Sequence, residues 1–144
     1  MLDYQLHGYP VGLEIDTTKG IITLGQLIKK QVEAFSFDST NFSRETTTLQ
    51  HLVAAQEDCE IWLITTRNNK VFACSDYCQI LTADIGWKYA KDLVYSDRII
   101  DLSEPPFIKS TFIESALHYG KANVYRFTAH PFSAFTTNGL VLCA

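Results

Sequence analysis

Val124-Tyr125-Arg126-Phe127-Thr128-Ala129-His130-Pro131-Phe132-Ser133-Ala134-Phe135-Thr136-Thr137-Asn138-Gly139-Leu140-Val141-Leu142-Cys143-Ala144 contains two β signals and a turn. Val124 to Thr128 suits a strand. A proline-containing corner follows, then Asn138-Gly139, then an apolar run. Asn-Gly is the strongest two-residue hairpin signal, because a type I′ turn needs φ > 0 at both central residues. The stretch therefore predicts strands folded against each other, with the final apolar residues buried.

Working outward, the rest of the chain has the same character. Glu60 to Thr66 is rich in β-branched and aromatic residues. Arg67-Asn68-Asn69-Lys70 reads as a turn and Val71 to Cys74 as the returning strand, the clearest hairpin in the chain. Upstream, Leu13 to Ile15 and Ile21 to Leu24 flank the turn Thr17-Thr18-Lys19-Gly20. Gly25 to Lys30 reads as a short helix with Thr23 as its N-cap. Val32 to Phe37 reads as a strand, Asp38 to Thr48 as a polar loop or hairpin tip, and Leu49 to Ala55 as strand or helix. Asp84 to Leu93 reads as a turn and a short helical segment, and Tyr95 to Ile100 as a strand. Pro105-Pro106 breaks the pattern, since proline cannot donate to a ladder. Phe107 to Leu117 has strand-like residues, and Gly120-Lys121-Ala122 reads as a turn before the final pair. Many short strands at regular spacing predict an all-β fold.

The 144 residues suit one domain, and 47% hydrophobic with 19% charged residues fits a globular chain. The net charge is −4 and there is no basic run, so no nucleic-acid partner is expected. No apolar stretch is long enough to span a bilayer and no signal peptide is apparent, so no membrane partner is expected. The four cysteines, Cys59, Cys74, Cys78 and Cys143, form no C-x-x-C pair. Free thiols in a reducing, cytoplasmic compartment follow. Their spacing matches no zinc motif, so no metal is expected, and Cys59, Cys74 and Cys143 read as core residues. His7, His51 and His118 have no catalytic partner at a telling spacing. Asp92 and Asp97 read as solvated.

The stretch 124–144 resembles the C-terminal end of inteins and related Hint (Hedgehog/intein) domains. Val124-Tyr125, Phe135, Asn138-Gly139 and Leu140-Val141-Leu142 fit the family pattern without a gap. A central block agrees in outline: Phe72-Ala73-Cys74-Ser75-Asp76-Tyr77-Cys78-Gln79-Ile80-Leu81-Thr82, then Gly86-Trp87-Lys88-Tyr89-Ala90-Lys91-Asp92-Leu93. An early block, Thr17 to Ile28, fits loosely. The resemblance implies a single Hint-like domain over residues 1–144, a horseshoe of short, mostly antiparallel strands with one or two short helices. The stretch from Leu102 to Lys121 is too short to hold a homing endonuclease. Residues 1–7 read as an interaction arm or flanking sequence.

The resemblance also implies an ancestral activity, autocatalytic peptide-bond rearrangement without an external cofactor. In the family, a Cys or Ser at the first intein residue attacks the preceding carbonyl, a covalent step that divides one hard reaction into easier ones. That position falls near Gly8, and no Cys, Ser or Thr occurs before Thr17. The family's central Thr falls on Ser75. Its central His, an imidazole suited to protonating the departing nitrogen, falls on Cys78. The assisting Asp falls on Arg126, another His on Ser133, the penultimate His on Cys143 and the cyclising Asn on Ala144. Arg126 also closes the alternative route that uses a nucleophile at the Asp position. The expectation is a Hint domain that has lost splicing, its partner being a flanking, extein-like polypeptide. The rival expectation is a free-standing structural or protein-interaction module that reuses the scaffold in a viral or bacterial assembly.

Overall fold

A computed structural model describes residues 7–144. The flanking-arm reading of residues 1–7 therefore falls, apart from His7, outside the described residues. The described chain is almost entirely strand: β1 (Tyr9–Pro10), β2 (Glu14–Thr17), β3 (Gly20–Thr23), β4 (Val32–Asp38), β5 (Ser43–Thr66), β6 (Val71–Cys74), β7 (Gln79–Thr82), β8 (Gly86–Tyr89), β9 (Arg98–Asp101), β10 (Lys109–His130), β11 (Ala134–Thr137) and β12 (Leu140–Cys143). All the pairings are antiparallel. The sheet runs β11-β12-β7-β9-β10-β5-β4-β2-β3, with β1 on β10, β6 on β5 and β8 on β7.

The expected all-β horseshoe is present, and its two ends meet. The Ser36 hydroxyl on β4 donates to the Ala134 carbonyl on β11 at 2.7 Å. The Thr136 hydroxyl donates to the Asp16 carboxylate on β2 at 2.8 Å. Between them lies a core of Tyr9, Ile15, Leu24, Leu27, Leu49, Ile64, Ile80, Phe135 and Leu142, among others. Tyr9, Phe127 and Phe135 pack edge-on or tilted, with ring centroids 5.1–6.2 Å apart.

Several local expectations are corrected. Not all strands are short: β5 spans 24 residues and β10 spans 22, paired along most of their length. Gly120-Lys121-Ala122 is no turn but lies inside β10, where register shifts between His118 and Gly120 and between Ala122 and Val124 absorb the glycine. The polar tip after β4 is only residues 39–42, and Arg44 to Thr48 are strand. The helix expected from Gly25 is a single 3-10 turn, Leu24–Leu27, with Thr23 N–H donating to the Gln26 side chain at 2.8 Å. Gly86 to Tyr89, expected to begin a helical segment, is strand β8, and only Ala90–Asp92 forms a 3-10 turn. Tertiary pairing overrides weak helical propensity at both places. Asp97 is not solvated: it is buried, 2.8 Å from the Lys88 ammonium, and accepts the Val94 N–H. Cys143 is half-buried rather than core. Among the described residues no helix is long and apolar enough to cross a membrane.

The Asn138-Gly139 hairpin forms as expected between β11 and β12, with φ of 52° at Asn138 and 83° at Gly139. The strand paired across this turn is Ala134–Thr137, while Val124 to Thr128 belongs to β10.

Candidate functional site

The site is built around one buried backbone unit, Gly8. β1 places it by pairing Tyr9 with Tyr125 and Pro10 with Val124 on β10. The Gly8 N–H donates to Ser75 Oγ at 2.9 Å. The Gly8 carbonyl accepts from the Ser75 N–H at 3.1 Å and from Cys78 Sγ at 3.1 Å. Ser75 thus holds Gly8 from both sides, and Cys78 supplies a third contact.

Ser75 and Cys78 owe their proximity to a turn. β6 ends at Cys74, and the Cys78 N–H bonds back to the Ser75 carbonyl at 3.3 Å, leaving Ser75 Oγ and Cys78 Sγ 3.5 Å apart. The 3-10 turn at Ala90–Asp92 fixes this loop: the Ala90 N–H donates to the Cys78 carbonyl and the Lys91 N–H to the Asp76 carbonyl. The Trp62 indole N–H donates to Asp76 Oδ1 at 2.6 Å, anchoring the loop to β5.

The final strand reaches the same place through Tyr9. Its phenol donates to the Cys143 carbonyl at 2.6 Å, and the Ala144 N–H donates to the Ser133 carbonyl at 2.7 Å. The structure therefore brings Gly8, Ser75 and Cys78 into direct contact and links Cys143 to them through Tyr9, while Ala144 is tied to Ser133. Ser133 contributes its carbonyl to Ala144 from an exposed bend. Arg126 is exposed on β10, paired with Val53.

The pocket gathers one phenol and three thiols. Burial pushes the Tyr9 phenol well above its ordinary value, reinforced by the Cys78, Cys74 and Cys143 thiols around it. The hydrogen bond with Cys78 and then burial push the Cys74 thiol up. Burial also opposes ionisation of Cys78, but hydrogen bonding to Cys74 and Ser75 holds it below its ordinary value. Burial raises the Cys143 thiol, partly offset by Ser133. Among the described residues no cluster of three or more His, Cys, Asp or Glu is placed to hold a metal.

Chemically, the pocket polarises one carbonyl and gives one amide N–H a hydroxyl acceptor, but presents no side-chain nucleophile at Gly8. It has no room for one. A Cβ on Gly8 would lie 2.9 Å from Val124 Cγ2, 3.0 Å from Val124 Cβ and 3.1 Å from the Tyr125 carbonyl. Val124 is β-branched, stiff and fully buried, so it yields little.

Sequence reasoning missed Tyr9 and Asp16. Neither the Tyr9-Pro10 dipeptide nor any spacing marks the phenol as the bridge to β12. Asp16 Oδ2 accepts from both the Thr136 hydroxyl and the Gly139 N–H at 2.8 Å, a contact spanning most of the chain.

With this geometry in place, comparison with solved structures defines the class: the chain has the intein/Hint fold. The DnaB intein from Synechocystis sp. PCC 6803 superposes with a TM-score of 0.86 at 18% identity, covering 96% of this chain and 99% of that one. The DnaX mini intein from Spirulina platensis gives 0.79 at 19% identity, covering 95% and 99%. A bacterial intein-like domain from Clostridium thermocellum gives 0.79 at 17%, covering 96% and 98%. No family model matches the chain, and no curated protein matches it in sequence.

Proposed function

We propose that this chain is a single Hint-type domain that keeps the splicing scaffold and has lost splicing chemistry. The observation that carries the reading is the crowding at Gly8: the position matching the family's first nucleophile has no side chain, and Val124 fills the space one would occupy. The remaining positions agree. A buried thiol at Cys78 is a poor substitute for imidazole as a proton donor. Ala144 offers no side-chain amide to cyclise, and Arg126 stands where a carboxylate would assist. The reading includes no cofactor, a cytoplasmic setting, and a flanking polypeptide as the ancestral partner.

The test is intact-mass analysis of the chain placed between two foreign domains, followed for a day with and without thiol. The expected outcome is an unchanged mass in both conditions. A joined-flank product, or release of either flank, sinks the reading. The rival, a binding module on the same scaffold, also leaves the mass unchanged and is separated by what the chain associates with.

A further inference from the structure

The long strand β10 is covered unevenly along its outer edge. One side pairs with β5 through most of its length. The other pairs with β9 at Lys109 to Phe112 and with β1 at Val124 and Tyr125. From Glu114 to Asn123 the outer edge pairs with no other strand among the described residues. Such an edge offers a row of backbone donors and acceptors to another strand.

Two features make this edge adhesive. Leu117 is 62% exposed and Tyr119 is 66% exposed. Tyr119 has no counterpart on β5, because the register steps from His118↔Trp62 to Gly120↔Ile61. The bulge therefore sends this tyrosine outward instead of packing it within the ribbon.

The charges make the edge self-complementary. Glu114 and Lys121 are both exposed, and neither enters any of the ion pairs among the described residues. Counted along the ladder, in which Glu114 and Tyr119 are extra residues at register shifts, their midpoint falls at Leu117. A two-fold axis there runs β10 antiparallel to its symmetry mate. It sets Glu114 of each copy near the partner's Lys121, twice, and gathers Leu117 and Tyr119 at the centre. Opposite charges across an antiparallel pair stabilise it, and an isologous contact closes at two copies.

We propose that the free edge of β10 is a homodimer interface in which two copies join edge to edge into one continuous sheet. This gives the binding-module reading a specific partner, a second copy of the chain, and does not depend on the chemistry at Gly8.

The experiment is sedimentation equilibrium of the full chain over a concentration series, at low and high salt. The variants are E114K, K121E and the double E114K/K121E. All three change exposed side chains, and thermal melts check that each is folded. The expected result is a reversible dimer that weakens in high salt. Each single reversal, which turns two attractions into two repulsions, weakens it about tenfold, and the double reversal restores it. A monomer at every concentration overturns the proposal and leaves the edge to water or to another protein's strand. A dimer indifferent to the single reversals also overturns it, by placing the contact on another face. Neither outcome bears on flank cleavage, which is read separately by mass.

Discussion

The Asn138-Gly139 hairpin and the Gly8 pocket are both buried nodes where distant parts of the chain meet, but different forces hold them. At the hairpin the ties are ionic. The Asp16 carboxylate takes the Thr136 hydroxyl and the Gly139 N–H. Nearby, Asp101 is bound by the Lys70 ammonium at 2.7 Å, the Asn68 amide and the Ser103 N–H, while the Leu102 N–H donates to the Gly139 carbonyl. At Gly8 the ties are a hydroxyl, a thiol and backbone, with Val124 packed hard against the glycine. The difference teaches that the scaffold is held by charge-assisted bonds outside the pocket. Side chains around Gly8 can therefore change without removing those ties.

That contrast can be broken most forcefully at Gly139. Gly139→Ala puts a Cβ at φ +83°, 2.7 Å from Asp101 Oδ1 and Ser103 Cβ. Left-handed strain and overpacking together should cost about 3–4 kcal/mol, read as a lower urea midpoint. Next comes Asp101→Asn, which leaves the half-buried Lys70 ammonium without its countercharge and should cost about 3 kcal/mol. Burial works against the Asp101 carboxylate, but Lys70, Ser103 and Asn68 hold it below the usual range. A depressed carboxylate contributes stability above its unfolded value and loses it as pH falls through the folded value. The wild-type chain should therefore lose this contribution on acidification, and Asp101→Asn should flatten that part of a melting-temperature profile against pH. A parallel profile for the variant would mean that other groups dominate.

Smaller effects are expected in the pocket. Ser75→Ala leaves the buried Gly8 N–H without its side-chain acceptor and should cost about 2 kcal/mol by denaturant unfolding. Cys78→Ala should cost least, about 1 kcal/mol, because the Gly8 carbonyl keeps the Ser75 N–H. If Cys78→Ala proved more damaging than Asp101→Asn, the ranking of charge-assisted over neutral ties would be wrong.

The order of these effects matches what could be read in one dimension. Asn138-Gly139 announced its turn because only certain residues accept φ > 0 at both positions. The β6 hairpin was equally legible from its β-branched and aromatic run. The length of β10 was not, because a glycine inside a strand looks like a turn until a partner strand shows that a bulge absorbs it. Ser75 and Cys78 were found as motif positions, and their shared hold on Gly8 appeared only in three dimensions. Tyr9 and Asp16 carried no local signal, because their partners, Cys143 and Gly139, lie near the other end of the chain.

The residues themselves determined the β character, the Asn-Gly turn and the absence of a side chain at Gly8, since each depends on side-chain type or local backbone preference. The meeting of the horseshoe's ends, the wall that Val124 raises over Gly8 and the open edge of β10 were decided by tertiary structure. Each depends on which strands lie side by side, a long-range pairing that local preferences do not encode.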